Sequence, residues 1–218
     1  MADPIELVIF DSDGVLVDSE AIACRVMAEA ATAVGAAMDL HEAMDLFRGR
    51  KIALCVAQIE HRSGRVLGDG FIAEVRGATA LAFDQELKAV EGVHEALDLI
   101  HQPYCVASNG PMEKLRHALG LTGLYARFEG RIFSAYEVGH WKPDPGLFLH
   151  AAQALGTNPA RCIVVEDSVT GVTAAKAAGM RVLGYGGEGP HAAMALSNAG
   201  AEVFDHMRDL PRLLAQSV

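Results

Sequence analysis

No stretch of the 218-residue chain holds about eighteen consecutive apolar residues, the least that a membrane-crossing helix requires. Positive charge is scarce: 18 Lys and Arg stand against 28 Asp and Glu, giving a formal net charge of −10 at pH 7. A field of that sign repels polyanions. Neither a membrane nor nucleic acid is therefore an expected partner, and an anionic substrate would need a local cationic pocket. Only four cysteines occur: Cys24, Cys55, Cys105 and Cys162. They are widely spaced within apolar segments and form no CxxC or Cys/His ligand pair. Buried free thiols in a reducing, cytoplasmic setting are expected, not disulfides or zinc. The first residues lack a basic region and are interrupted by Asp3 and Glu6, so no secretory leader is expected there. Low-complexity tracts and internal repeats are also missing. What is present is a chain that is 51% hydrophobic and 21% charged, composed like a folded domain long enough to bury a sizeable core.

One stretch near the start organises the rest. Leu7-Val8-Ile9-Phe10 is apolar, rich in β-branched residues, without alternation, and ends in Asp11. Such a run reads as a strand buried on both faces of a parallel sheet. In open α/β sheets, ligands bind beyond the carboxyl ends of the strands, where Asp11 is then expected. Asp13 follows at i+2, the spacing that puts two side chains on one side of extended chain. Gly14 permits a sharp turn. Two carboxylates this close need a cation, a proton or water between them. A hard divalent ion such as Mg2+ would satisfy them with oxygen ligands, whereas a solvated Asp-Gly turn is the plainer alternative. A calcium loop of the EF-hand kind fails, because Gly14 comes too early and Ile22 stands at the twelfth position, where Glu is required.

Beyond this stretch, Asp18 or Ser19 can cap a helix with Ile22, Val26, Ala30 and Val34 as its apolar stripe and Gly35 at its end. More helices are expected at about 41–47, 52–62 and 71–89, with Arg48-Gly49-Arg50-Lys51 breaking the first from the second. No strand pattern appears between about Ser19 and Ala89. After Val90 helices alternate with strands, the latter expected at Tyr104 to Ala107, Arg131 to Ser134, Cys162 to Val165, Val182-Leu183 and Val203-Phe204. That alternation implies right-handed βαβ units and a doubly wound parallel sheet. The expected organisation is an α/β core of residues 1–17 and 90–218, with a small helical cap of residues 18–89 inserted after the first strand.

Three expected strands end in chemically pointed residues: Asp11 and Asp13, then Ser108 and Asn109, then Glu166 and Asp167. Lys142-Pro143-Asp144-Pro145 lies between the last two. Each has an ordinary reading. Ser108-Asn109 suits a turn or N-cap, a lone Lys142 suits a solvated loop, and Glu166-Asp167-Ser168 suits a helix cap favoured by the dipole. In this order, with Asp11-Ser12-Asp13-Gly14-Val15-Leu16-Val17-Asp18-Ser19 and Val165-Glu166-Asp167-Ser168 as the outer members, they resemble the four motifs of the haloacid dehalogenase-like superfamily. The resemblance covers essentially the whole chain. The helical insertion is similar to the cap of its β-phosphoglucomutase-like branch.

The resemblance implies a Rossmann-like core and a phosphatase. Asp11 would be the nucleophile, forming an aspartyl-phosphate, with Asp13 as general acid and base. Mg2+ would be bound by the Asp11 carboxylate, the Asp13 backbone carbonyl and the Asp167 carboxylate, with Glu166 acting through water. Ser108, the Asn109 amide and Lys142 would hold the phosphoryl oxygens and neutralise their charge. The cap run Arg48, Gly49, Arg50 and Lys51 would face substrate, and its cations favour a leaving group bearing a carboxylate. The run Cys105 to Pro111, with Arg48-Gly49 and Lys51, is similar to the bacterial 6-phosphogluconate phosphatases. The expected substrate is a small phosphorylated sugar or sugar acid, 6-phosphogluconate first, taken by a monomer or weak homodimer. The alternatives are a phosphatase of ordinary hexose or pentose phosphates, a phosphomutase, a phosphoacceptor switch and a sugar-phosphate binder. Ala23 stands where the mutases of this branch carry His, and a true dehalogenase would lack Asp13. A receiver-type switch would lack both the cap and a second Asp.

Overall fold

The computed structural model describes residues 4–187 and 189–216. The chain forms two compact units, one of Met1–Val17 with Ala89–Val218, the other of Asp18–Lys88. The larger unit holds six strands: β1 (Leu7–Phe10), β2 (Tyr104–Ser108), β3 (Ile132–Ser134), β4 (Cys162–Glu166), β5 (Arg181–Tyr185) and β6 (Glu202–Phe204). Twelve α-helices are described. The smaller unit contains α1 (Glu20–Ala33), α2 (Leu40–Phe47), α3 (Ile52–Ser63) and α4 (Asp69–Glu86). The larger contains α5 (Val93–Leu99), α6 (Met112–Leu121), α7 (Tyr125–Phe128), α8 (Ala135–Val138), α9 (Gly146–Ala154), α10 (Val169–Ala177), α11 (Pro190–Asn198) and α12 (Leu210–Ala215).

The strands form one sheet in the order β3-β2-β1-β4-β5-β6, with every pairing parallel. This is the doubly wound α/β architecture expected from the alternation of strands and helices. β1 lies in the middle. Ile9 faces Cys105 on one side and Val164 on the other. Since β1 also carries helices on both faces, none of its four side chains reaches solvent, which is why its sequence shows no alternation. Leu7 and Ile9 pack with Cys105, Val164, Phe148 of α9 and Val172 of α10 on one face. Phe10 points to the other face, where it meets the ring of Phe128 in α7 edge-on at 6.1 Å. The sheet reverses its winding between β1 and β4, so the carboxyl ends of β2, β1 and β4 open onto the crevice where such folds take ligands.

All four cysteines are buried free thiols, and burial pushes the Cys55 and Cys162 thiols up to about 11. They are packing groups, not nucleophiles. Among the described residues, no helix is long and apolar enough to cross a membrane.

The smaller unit has its own core, with Cys24, Met27 and Ala31 of α1 against Ala43 and Phe47 of α2 and Ile59 of α3. The buried stripe of α1 differs from the expected one. Val26 is buried, but Ile22, Ala30 and Val34 are only partly covered, whereas Cys24, Met27, Ala28 and Ala31 are enclosed. α1 packs against both α2 and α4, so its buried face is wider than a single row and includes small residues that a stripe of large aliphatics passes over. The two chain crossings run side by side: Val17 and Ala89 form an antiparallel bridge, and Asp18 N donates to Lys88 O at 2.9 Å.

Candidate active site

Asp11 is the first residue past β1. Its N–H donates to Val165 O at 3.0 Å, extending the β1–β4 ladder by one step and fixing the side chain at the strand end. The chain then folds into a tight turn. Leu16 N and Val17 N both donate to Ser12 O, Gly14 N donates to Val17 O at 2.8 Å, and Asp13 bridges Val17. Gly14 is required twice over. Its φ is +75°, and a Cβ there would overlap the Asp167 carboxylate.

Ser108 ends β2 and is almost completely buried. Its Oγ accepts from Gly110 N at 3.0 Å. That bond occupies a lone pair and leaves the hydroxyl proton to be donated to a ligand. Asn109 clasps the backbone of Lys142: its Oδ1 accepts from Lys142 N at 2.9 Å, and its Nδ2 donates to Lys142 O at 3.4 Å. The Asn109 side chain thus ties the β2 end to the lysine loop. Ser134, which the sequence does not single out, closes the same end by donating to Gly110 O at 2.7 Å.

Lys142 is the buried cation of the site. Its Nζ lies 2.7 Å from Asp11 Oδ1, 2.6 Å from Glu166 Oε1 and 4.9 Å from the centroid of the Phe148 ring. Glu166 is wholly buried. Its second oxygen, Oε2, accepts from Asp167 N at 3.1 Å, Ser168 N at 3.0 Å and Ser168 Oγ at 2.9 Å. Ser168 is also the N-cap of α10, accepting from Gly171 N. A carboxylate at a helix N-terminus with that many donors is well satisfied. Gly171 makes room for it, since a Cβ there would overlap the Glu166 carboxyl group.

Asp11, Glu166 and Asp167 each present an oxygen within 4.8 Å of the others, an arrangement that can hold a metal ion. The donors are all carboxylate oxygens, a set that suits a hard divalent cation. The charge balance points the same way. Among the described residues, Asp11 and Glu166 meet the ammonium group of Lys142, and Asp13 meets that of Lys114, 2.8 Å from its Oδ1. Burial, opposed by Lys142 and reinforced by the neighbouring carboxylates, pushes the Asp11 carboxyl up to about 8. Lys142 is held above its ordinary value: burial works against its charge, but Asp11 and Glu166 outweigh it. A divalent cation would offset the negative charge gathered at these carboxylates.

The larger unit therefore brings together Asp11, Asp13, Ser108, Asn109, Lys142, Glu166 and Asp167. Arg48, Gly49, Arg50 and Lys51 lie in the smaller unit, in the turn between α2 and α3. Gly49 has φ +65°, Arg48 is half-buried, and Arg50 and Lys51 are exposed. Lys114 was not legible as a site residue. The one available signal is its place in the first turn of α6, the end of a helix where the dipole disfavours a cation.

The comparisons with known proteins agree with this geometry. The haloacid dehalogenase-like hydrolase family model matches residues 5–179, a span that includes every residue of the cluster. The chain is 37% identical over 210 residues to 6-phosphogluconate phosphatase of Escherichia coli, covering 96% of this chain and 94% of that protein. A haloacid dehalogenase-like protein of unknown function from Agrobacterium tumefaciens superposes with a TM-score of 0.86 at 37% identity, covering 97% and 98% of the two chains. A hydrolase of the same family from Deinococcus radiodurans, solved with bound phosphate and sodium, superposes with a TM-score of 0.79 at 34% identity over 98% and 96%. With four motifs gathered at the carboxyl ends of three adjacent strands and a family match across most of its length, the chain belongs to the haloacid dehalogenase-like hydrolases.

Proposed function

We propose that the protein is a Mg2+-dependent phosphatase of small phosphorylated sugar acids, with 6-phosphogluconate as its first substrate, working through an aspartyl-phosphate on Asp11. The observation that carries the reaction class is the buried Lys142 bridging Asp11 and Glu166 inside an acidic, oxygen-only cluster. Mg2+, bound by the carboxylates of Asp11 and Asp167 and the Asp13 carbonyl, with Glu166 behind them, would offset the negative charge of the phosphoryl group. In the first half-reaction Asp13, having taken up a proton from solvent as the anionic substrate binds beside it, gives that proton to the sugar oxygen while an Asp11 oxygen attacks phosphorus and the bond from phosphorus to the sugar oxygen breaks. In the second, Asp13 takes a proton from water, the water oxygen bonds to phosphorus, and the bond to Asp11 breaks. Ser108 and the Asn109 N–H bind the equatorial oxygens, and the Lys142 ammonium balances their charge.

The metal assignment predicts a stability signature. In the metal-free protein the Asp11 carboxyl, pushed up to about 8 in the fold against an ordinary 3.8, favours the folded state below pH ~4. That contribution is lost as pH rises toward 8. Mg2+ needs the ionised carboxylate, so it restores stability where the proton has left. At a hundred times its dissociation constant it contributes about 2.7 kcal/mol. The melting temperature is expected to rise more on adding a fixed Mg2+ concentration at pH 8 than at pH 5. Equal shifts would reject the assignment.

The substrate reading is supported by the 37% relative, named for 6-phosphogluconate, and by the cationic turn at Arg48 to Lys51. Arg grips a carboxylate through two parallel hydrogen bonds, an option that a neutral hexose phosphate does not offer. A panel of sugar phosphates is expected to give a higher kcat/KM for 6-phosphogluconate than for glucose 6-phosphate. Arg48→Ala and Lys51→Ala are expected to shrink that preference more than they slow p-nitrophenyl phosphate. Equal losses on both would reject the role of the turn.

A further inference from the structure

We propose that Lys114 is a positioning residue for this reaction, holding the Asp13 carboxylate apart from the metal-binding carboxylates so that it stays available for proton transfer. The proposal rests on the phosphatase reading above. Lys114 stands in the first turn of α6, directly after the segment Ser108 to Pro111 that leaves β2. The same loop that presents the phosphate-binding groups therefore also delivers this ammonium. Its Nζ lies 2.8 Å from Asp13 Oδ1, with the Asp13 side chain 14% exposed and that of Lys114 30% exposed. Fully exposed pairs fix geometry poorly, but a largely enclosed carboxylate is held by such a contact.

Two cations of the site hold different acids. Lys142 takes Asp11 and Glu166, and Lys114 takes Asp13. The group of carboxylates close enough to share a metal ion consists of Asp11, Glu166 and Asp167, and Asp13 is not in it. Asp13 belongs to the same turn as Asp11, two residues away, so something must draw its side chain off. The ion pair with Lys114 does so. Loss of that contact would free the Asp13 carboxylate to swing toward three others of the same charge or to compete for the metal. Neither leaves it where a leaving oxygen or a water molecule can reach it. The placement of Lys114 near the helix N-terminus, against the dipole, fits a residue kept for geometry at the expense of local propensity.

The test compares Lys114→Gln and Lys114→Arg with the unaltered protein, at saturating Mg2+, on 6-phosphogluconate and p-nitrophenyl phosphate. Rapid acid quench reads formation of phosphorylated Asp11 in a single turnover, and steady-state assays give kcat and KM. For Lys114→Gln the phosphorylation step on the sugar phosphate is expected to slow by about 30- to 100-fold, the scale of a misplaced catalytic group. KM should change by less than about threefold. On p-nitrophenyl phosphate, whose leaving group needs no proton, the same step should slow by less than about fivefold. Lys114→Arg is expected to recover most of the loss. Equal slowing on both substrates, a change in KM alone, or unaltered rates would overturn the proposal. If Lys114→Gln melts abnormally, the comparison is made on Lys114→Arg, where a smaller loss still confined to the sugar phosphate is expected and a loss equal on both substrates overturns the role. Failure of the unaltered protein to release phosphate from any substrate would reject the phosphatase reading instead.

Discussion

Asp11→Asn is expected to abolish turnover and leave the fold standing. The amide keeps the shape of the carboxylate but cannot attack phosphorus, and deleting a covalent nucleophile costs roughly 10⁵- to 10⁶-fold in kcat. The fold should tolerate the change for a reason visible in the site. The Asp11 backbone, not its side chain, extends the β1–β4 ladder through Val165 O, and Lys142 keeps Glu166 as a partner at 2.6 Å. In the absence of metal the variant should be at least as stable as the unaltered protein at pH 8, because it removes a charge whose burial is unfavourable there. Mass spectrometry after acid quench is expected to find an added phosphoryl group on residue 11 of the unaltered protein and none on the variant. Normal turnover by Asp11→Asn would end the covalent mechanism. Loss of activity together with loss of the folded baseline would show that Asp11 is structural.

The part of this site that could be read from the sequence is the part carried by strands buried on both faces. Leu7 to Phe10 and Cys162 to Val165 have no polar side chain to interrupt them, so the first polar residue after each marks the strand end, and the strand end marks the crevice. What escaped has physical causes. Tyr125–Phe128 and Ala135–Val138 are single helical turns, too short to display a 3.6-residue period. The buried face of α1 departs from a single aliphatic stripe because enclosure by two helices selects small residues as well as large ones. The side chains that hold the motifs to one another, Asn109 on the Lys142 backbone and Ser134 on Gly110 O, act across more than twenty residues of sequence. Gly171 looks like an indifferent helical glycine until the Glu166 carboxyl group is seen against it. Lys114 is an ordinary helix residue by pattern, and only the fold brings it to Asp13 across 101 positions.

Lys142→Met is expected to damage both activity and stability, and the two losses have different signatures. The unaltered ammonium is 3% exposed, contacts two carboxylates at 2.7 and 2.6 Å, and lies over the Phe148 ring. Methionine fills the channel along Phe148 with similar bulk, so packing changes little. What is lost is the charge. Asp11 and Glu166 are left facing each other in a buried setting, and breaking a buried pair by removing one partner costs about 3–5 kcal/mol. For the metal-free variant the sign with pH is fixed. The Asp11 carboxyl, already raised by burial and now without the opposing Lys142 charge, binds a proton more tightly in the fold than in the unfolded chain, so stability should fall as pH rises from about 5 to 8. It should fall further than in the unaltered protein. A divalent cation should restore part of it, because the deficit is one of positive charge. Activity should not follow that recovery: in the proposed mechanism the ammonium offsets the charge of the equatorial oxygens of the transferring group, so its removal is expected to cost about 10³-fold or more even at saturating Mg2+. Urea melts at pH 6 and pH 8, with EDTA and with Mg2+, read the first effect, and phosphate release reads the second. A variant that melts like the unaltered protein at pH 8 in EDTA would show that Asp11 and Glu166 do not depend on Lys142. One that regains its rate along with its stability would make the lysine a structural group and leave the charge of the phosphoryl oxygens to the metal and Ser108.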